Sequence, residues 1–221
     1  MSDQTKWLAL YFDAPMQSWG FQSRLERRTT LGYPTKSGVV GMLCAAMGIR
    51  REDRDSIRQL ANLDMHVLVL SAAQRMTDFH TVGGGYDPKV DRDCVPAKVD
   101  GGAPATVVTY RDYLVDGKFA VLLHGDAPLL ERCESAMRDP KWGVWLGRKS
   151  CIPAAPICHG LFPTREEAGK RMEQISGGSG IQEIREAAQF DEGMDTISDV
   201  PLLFSTREFS VRRVLRQSIQ R

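Results

Sequence analysis

The seventeen residues GYPTKSGVVGMLCAAMG, Gly32–Gly48, decide how the rest of the chain is arranged. They read as a loop feeding a buried helix. Thr35 or Ser37 suits the N-cap, and Val39, Val40, Leu43 and Met47 form an apolar face. Gly38, Gly41, Ala45 and Ala46 let that helix lie close against a sheet. Each interior glycine costs about 1 kcal/mol of helix propensity relative to alanine, which close packing would offset. The N-terminus of such a helix, with Lys36 beside it, is also a natural anion site, so the turn Thr35–Ser37 is expected to grip a phosphate.

Upstream, Lys6–Phe12 alternates Trp7, Ala9 and Tyr11 with Leu8, Leu10 and Phe12, as a strand buried on both faces does. Downstream, Glu52–Leu63 carries Ile57, Leu60 and Ala61 on one helical face, and Met65–Ala72 is a second strand. From Gly83 to Pro104 glycines, prolines and charges follow without periodicity, which marks a long insertion. Val107–Val115 and Lys118–His124 are expected to pair as a hairpin through the Asp116-Gly117 turn. Pro128–Arg138 is an amphipathic helix stopped at Asp139-Pro140, and Ile157–Phe162 is a further strand. The order strand, helix, strand, insertion, strand, helix, strand predicts an α+β, βαββαβ ferredoxin-like plan for residues 1–162. Residues 163–221 then form a small C-terminal extension, with a surface helix at Arg165–Ile175 and strands at Val200–Phe204 and Phe209–Val214. Asp191–Asp199 between them is acidic and expected to be exposed.

A chain of 221 residues with 42% hydrophobic and 26% charged side chains suits a soluble globular protein. Its formal net charge of +1 excludes a polycation, so contact with nucleic acid must come from local clusters. Five cysteines, at 44, 94, 133, 151 and 158, show no CxxC spacing, which argues against a disulfide framework and for a reducing cytoplasm. Cys151, Cys158 and His159 lack a second ligand pair for zinc, so no metal and no cofactor are expected. No apolar run reaches the length of about 18 residues that a membrane helix needs, and no signal peptide is apparent; no membrane contact is expected.

Lys36-Ser37 before an apolar helix resembles a P-loop, but Thr35 stands where GxxxxGK[ST] needs glycine. No HExxH or GxSxG motif is present. Single-stranded RNA accounts for more of the chain at once, because it needs cations for phosphates, planar groups for splayed bases and donors for 2′-hydroxyls. Arg24, Arg28, Lys36, Arg111, Arg148 and Lys149 supply the first, Trp19, Tyr33 and Tyr110 the second, and Gln17, Ser37 and Thr81 the third. Thr35 and His80 complete the candidate set. The alternative is metal-independent RNA cleavage with His80 as base near Tyr33.

Six motifs in order, Pro15–Gly20 (PMQSWG), Tyr33–Gly38 (YPTKSG), Asp78–Val82 (DFHTV), Tyr110–Leu114 (YRDYL), Leu146–Cys151 (LGRKSC) and Ser205–Phe209 (STREF), carry a resemblance to the fifth CRISPR-associated protein family. The likeness is to its type I-E branch, a subunit of the Cascade surveillance complex of prokaryotes. The resemblance implies a repeat-associated (RAMP), RRM-like core whose insertion, about residues 76–115, is a β-hairpin thumb. It implies a non-catalytic subunit that caps the 5′ handle of the CRISPR RNA. Its partners would be the Cascade backbone subunit and the large PAM-recognising subunit, with target DNA engaged only indirectly. Arg28, Lys36, Ser37, Arg111, Arg148, Lys149 and Ser150 would face the handle. Type I-C relatives in the same family cleave repeat RNA, which is the form the catalytic alternative takes. The basic tail Val211–Arg221 lies outside the motifs; it reads as a partner contact, an extra RNA contact or disorder, and disorder is the default expected of a terminus.

Overall fold

The computed structural model describes residues 5–23, 26–82 and 106–219. Chain order begins with β1 (Thr5–Asp13) and four two-residue strands, β2 (Met16–Gln17), β3 (Trp19–Gly20), β4 (Arg27–Arg28) and β5 (Thr30–Leu31). There follow α1 (Lys36–Met47), α2 (Arg54–Ala61), β6 (Asp64–Ser71), β7 (Gln74–Val82), β8 (Val107–Val115), β9 (Lys118–Asp126) and α3 (Ala127–Arg138). The chain continues through β10 (Cys158–Phe162), α4 (Arg165–Ser176), β11 (Gln182–Glu186), β12 (Asp195–Leu203) and β13 (Glu208–Ser218).

The opening stretch folds as its sequence predicts. Thr35 is the extended N-cap of α1 and accepts a hydrogen bond from Gly38 N. At the other end Gly48 is left-handed, and the Gly48 and Ile49 amides return to the Ala45 and Cys44 carbonyls, which closes the last turn. Gly38 has its packing reason, since a Cβ there would sit 2.9 Å from the Trp19 ring.

The main sheet has seven strands in the order β10-β1-β9-β6-β11-β13-β12, every neighbouring pair antiparallel. Its first four strands have the arrangement that a βαββαβ ferredoxin-like core requires. Leu8, Leu10 and Phe12 of β1 pack with α1, α2 and α3 residues such as Leu43, Ile57 and Leu130, while Ala9 and Tyr11 pack on the opposite side with Ala168 and Met172 of α4. Both faces of the sheet centre are therefore covered, and the open sheet face on which RRM domains stack bases is not free here. Residues beyond 162 continue the same sheet through β11, β13 and β12. The tail expected to be disordered is mostly strand, because β13 runs to Ser218 between two partners.

Two expectations need correction. β8 and β9 do not pair through Asp116-Gly117. Instead β8 pairs β7 and β9 pairs β6; the β6–β9 ladder shifts register between Val69 and Ser71, and from there Ser71 faces Lys118 and Gln74 faces Val115. Together they are one ribbon that leaves the core sheet as an arm. Asp116, left-handed at φ 59, and Gly117 mark a bend in it, where a Gly117 Cβ would meet Ala73 at 2.6 Å. The arm lies where the base of the expected thumb falls; the expected tip, 83–105, lies outside the described residues. The second correction concerns Asp191–Asp199: β12 begins at Asp195, and Asp199 is only 2% exposed because Arg212 draws it inward.

On the α4 side His66 sits between Glu183, 2.8 Å from Nδ1, and Asp64, 3.1 Å from Nε2. Burial opposes the imidazolium, but the hydrogen bonds to both carboxylates outweigh it and hold the pKa up at about 9. Glu183 is likewise disfavoured as an anion by burial, yet His66 and Arg165 hold its carboxyl down at about 2. The signs follow from linkage: the His66 contribution is complete below its ordinary 6.5 and lost as pH rises through about 9, and the Glu183 contribution is complete above 4.5 and lost as pH falls towards 2. Thermal unfolding is expected to show a fall in midpoint between pH 7 and about 9.5 that His66→Gln flattens. An equally steep fall in the variant would remove His66 from this account.

Candidate nucleic-acid interface

The loop after α3 is locked to the short strands that follow β1. Ser18 N donates to Leu146 O at 3.0 Å, Leu146 N to Cys151 O at 2.9 Å, and Cys151 N to Arg148 O at 2.8 Å. Gly147 makes this docking possible: its φ is 101°, and any Cβ would be driven into the Ser18 carbonyl oxygen. Arg148 is thereby aimed across the arm's base. Its Nη2 donates to the Arg28 carbonyl at 2.9 Å, and its guanidinium lies 4.6 Å from the centroid of Tyr113 on β8. Arg148 Nη1 is buried without a hydrogen-bond partner among the described residues.

β4 lies parallel to β8, with Arg27 opposite Tyr110 and Arg28 opposite Arg111, and Tyr110 N donates to Glu26 O at 2.7 Å. Arg111 Nε donates to Thr109 Oγ1 at 3.0 Å. A cleft of about 680 Å³ opens here, lined by Ser18, Ser23, Arg28, Thr109, Arg148 and Arg207, with Glu26 as its acidic member. Among the described residues, Arg28, Arg111, Arg148, Lys149 and Arg207 form no ion pair with a carboxylate. Among the described residues, no carboxylate competes with an external anion for their charge. On the arm, Phe79 and Tyr110 face each other across the ladder as an exposed edge-to-face pair, centroids 5.5 Å apart. Half-buried and exposed arginines at the base of an arm that carries exposed rings are the elements of a single-strand site.

Not every residue that the sequence nominates stands at this surface. Gln17 and Trp19 are buried: Gln17 Nε2 donates to Gly117 O, Trp19 Nε1 donates to Gln17 Oε1, and the indole stacks on Phe12. They hold the arm's bend to the core. Thr35 is spent on its cap. Lys36 is 4% exposed and its Nζ lies 2.5 Å from Glu186. The anion at the start of α1 is Asp199, which accepts from Lys36 N at 2.8 Å and takes a two-pronged contact from Arg212 at 2.7 and 3.0 Å. An internal carboxylate thus fills the place expected for phosphate, since it answers both the helix N–H and the buried guanidinium. Burial opposes the Arg212 charge, and the bonds to Asp199 more than restore it.

Tyr33 is 4% exposed, beneath the Arg216 guanidinium, with a hydroxyl that has no partner among the described residues. His80 is on the arm, its Nδ1 3.7 Å from Asp78, and no hydrogen bond or ring contact joins it to Tyr33. The expected base and its partner are therefore not assembled. Thr81 follows on the same strand, Lys149 and Ser150 are exposed in the docked loop, and Ser37 lines a second cleft described below. Arg24 lies outside the described residues. Among the described residues no group of histidine, cysteine and acidic side chains could hold a metal. Arg207 is hidden in the STREF motif; its place in a tight turn between two predicted strands is the signal that could have found it.

A family model described as CRISPR-associated protein (Cas_Cas5) matches residues 7–215. The chain belongs to this family. Among curated relatives, the Cas5-family chain is 32% identical over 169 residues to the CRISPR system Cascade subunit CasD of Escherichia coli (strain K12), covering 71% of this chain and 69% of that one. Among solved structures it is similar to a chain of a CRISPR RNA-guided surveillance complex, with TM-score 0.79, 26% identity, and coverage of 96% and 89%. A second Cas protein, known from a crystal structure, matches with TM-score 0.68, 30% identity and coverage of 96% and 94%. The mixed fold, with its antiparallel RAMP-like sheet, is thus the fold of this Cas5 family.

Proposed function

We propose that this chain is a non-catalytic subunit of a type I-E Cascade surveillance complex and holds the 5′ handle of the CRISPR RNA. The observation that carries the proposal is the convergence of Arg28, Arg111 and Arg148 at the β4–β8 bridge, none neutralised by a carboxylate among the described residues. Family membership and the likeness to a Cascade subunit support the same assignment. In this reading the cationic cleft follows the handle's phosphates, Lys149 and Ser150 extend it, and the arm with Phe79, Tyr110, His80 and Thr81 lies against the guide where handle meets spacer. The protein reads backbone and shape, and base pairing reads the target. The backbone subunit and the large PAM-recognising subunit are the proposed protein partners, and the cytoplasm is the proposed location.

Arg111→Ala and Arg148→Ala are each expected to weaken binding of repeat-handle RNA and to lower the slope of log affinity against log salt by about 0.7 for each phosphate no longer neutralised. Lys36→Ala is expected to lower stability and leave the salt slope alone. Wild-type affinity and slope in both arginine variants would overturn the site. Repeat-hairpin RNA incubated with the chain in EDTA should stay intact. Specific cleavage abolished by His80→Ala would establish the nuclease instead.

A further inference from the structure

A second cleft, of about 570 Å³, lies beside the first and shares Gly147 and Arg207 with it. One wall is the α1 face with Ser37, Gly41 and Ala45; the other holds Trp142 and Trp145, and Phe204 and Phe209 from the β12–β13 turn also line it. Trp142 and Trp145 remain 45% and 37% exposed, although the backbone around them is fixed: Lys141 N and Trp142 N donate to Ala46 O and Ala45 O at the end of α1. A Cβ on Gly143 would lie 2.6 Å from the Trp145 ring, so the indole rests directly on the Gly143 backbone.

Three observations say what the cleft is for. Its charged lining residues are Arg51 and Arg207, with no carboxylate among the described residues that line it. Arg207 is left-handed, φ 57, in the tight turn between β12 and β13, which sets its side chain at the rim of the cleft. Gly41, unlike Gly38, has no packing reason, since its nearest neighbour would be the Phe204 ring at 3.7 Å. The absence of a side chain at 41 leaves room between α1 and the Phe204 ring. Rings flanked only by arginines, continuous with a phosphate-binding cleft, have the chemistry of a nucleobase pocket.

We infer that this cleft receives one unstacked base of single-stranded RNA, with Trp145 as the stacking platform and Arg207 on the adjoining phosphate. The inference deepens the RNA-binding proposal and rests on it.

The test uses the full chain, the handle oligoribonucleotide, and a series of the same oligomer carrying one abasic residue at each position in turn. For wild type, a single abasic position should weaken binding by about 5- to 150-fold, the range that one stacked base supplies. Trp145→Leu, which keeps apolar bulk and removes the ring, should lose the same factor, become indifferent to that abasic position, and keep the wild-type salt slope. Trp145→Phe should retain most of the affinity. Gly41→Leu, which fills the cleft from the other wall, should reproduce the loss while raising the thermal midpoint. Wild-type affinity in Trp145→Leu and Gly41→Leu, with Arg148→Ala still weakened, would overturn the base pocket and leave the RNA site standing. Undiminished RNA affinity with failed assembly into the complex would make the cleft a protein-docking site and overturn the inference. Absence of RNA binding by the wild-type chain would overturn both proposals.

Discussion

Asp199→Ala is expected to destabilise the chain by about 3–5 kcal/mol, a large part of the total stability of an ordinary domain. The carboxylate lies between the first N–H of α1 and the Arg212 guanidinium, both buried, and its removal leaves a cation and a helix terminus without an anion. Lys36 is 4% exposed and paired to Glu186, so it cannot turn to water for compensation. Urea denaturation should show a much lower midpoint for Asp199→Ala and an intermediate one for Asp199→Asn, which keeps an acceptor for Lys36 N without the charge. Replacing Asp199 and Arg212 together by leucine and methionine should recover part of the loss, because a buried pair exchanged for apolar groups of similar volume is often neutral. A wild-type midpoint in Asp199→Ala would refute the claim that α1 is anchored there.

Gly147→Ala is expected to produce the second largest effect, first on the interface and then on stability. Alanine at φ 101 carries strain on the order of 1–3 kcal/mol, and its methyl group must displace the Ser18 carbonyl. The loop can escape only by giving up the hydrogen bond from Ser18 N to Leu146 O, which releases Arg148 from Arg28 and Tyr113. RNA affinity should therefore fall more than in Arg148→Ala alone, since Lys149 and Ser150 move as well. Hydrogen exchange at the Ser18 and Cys151 amides should accelerate in the same variant. Native exchange rates at those amides would show that the loop tolerates a side chain at 147.

The core is readable in the sequence because its signals are local. Alternation in β1, the cap at Thr35, the left-handed Gly48 and the proline after α3 each specify a nearby geometry, and together they order a ferredoxin-like plan. The arm misleads for the same reason. Asp116-Gly117 is a strong turn signal, and only pairing with residues on β6 and β7, distant in sequence, makes it a bend in a continuous strand. Lys36 misleads differently: exposed or buried, its neighbours in sequence are the same, and the carboxylate that claims its amide is 163 residues away. Arg28, Arg111 and Arg148 can be named one by one, but their convergence depends on a two-residue strand and on one glycine contact. Trp142 and Trp145 cannot be told from core aromatics until the fold leaves them at a surface.

The unbroken β7–β8 register restricts how the arm's length can change in evolution. Side chains alternate between the faces of a strand, so a lone insertion in β7 or β8 would move Phe79 or Tyr110 to the opposite side and separate the pair. Length variation among functional homologues should therefore appear as matched changes in both strands, or be confined to the segment between Val82 and Val107, where neither ladder is altered.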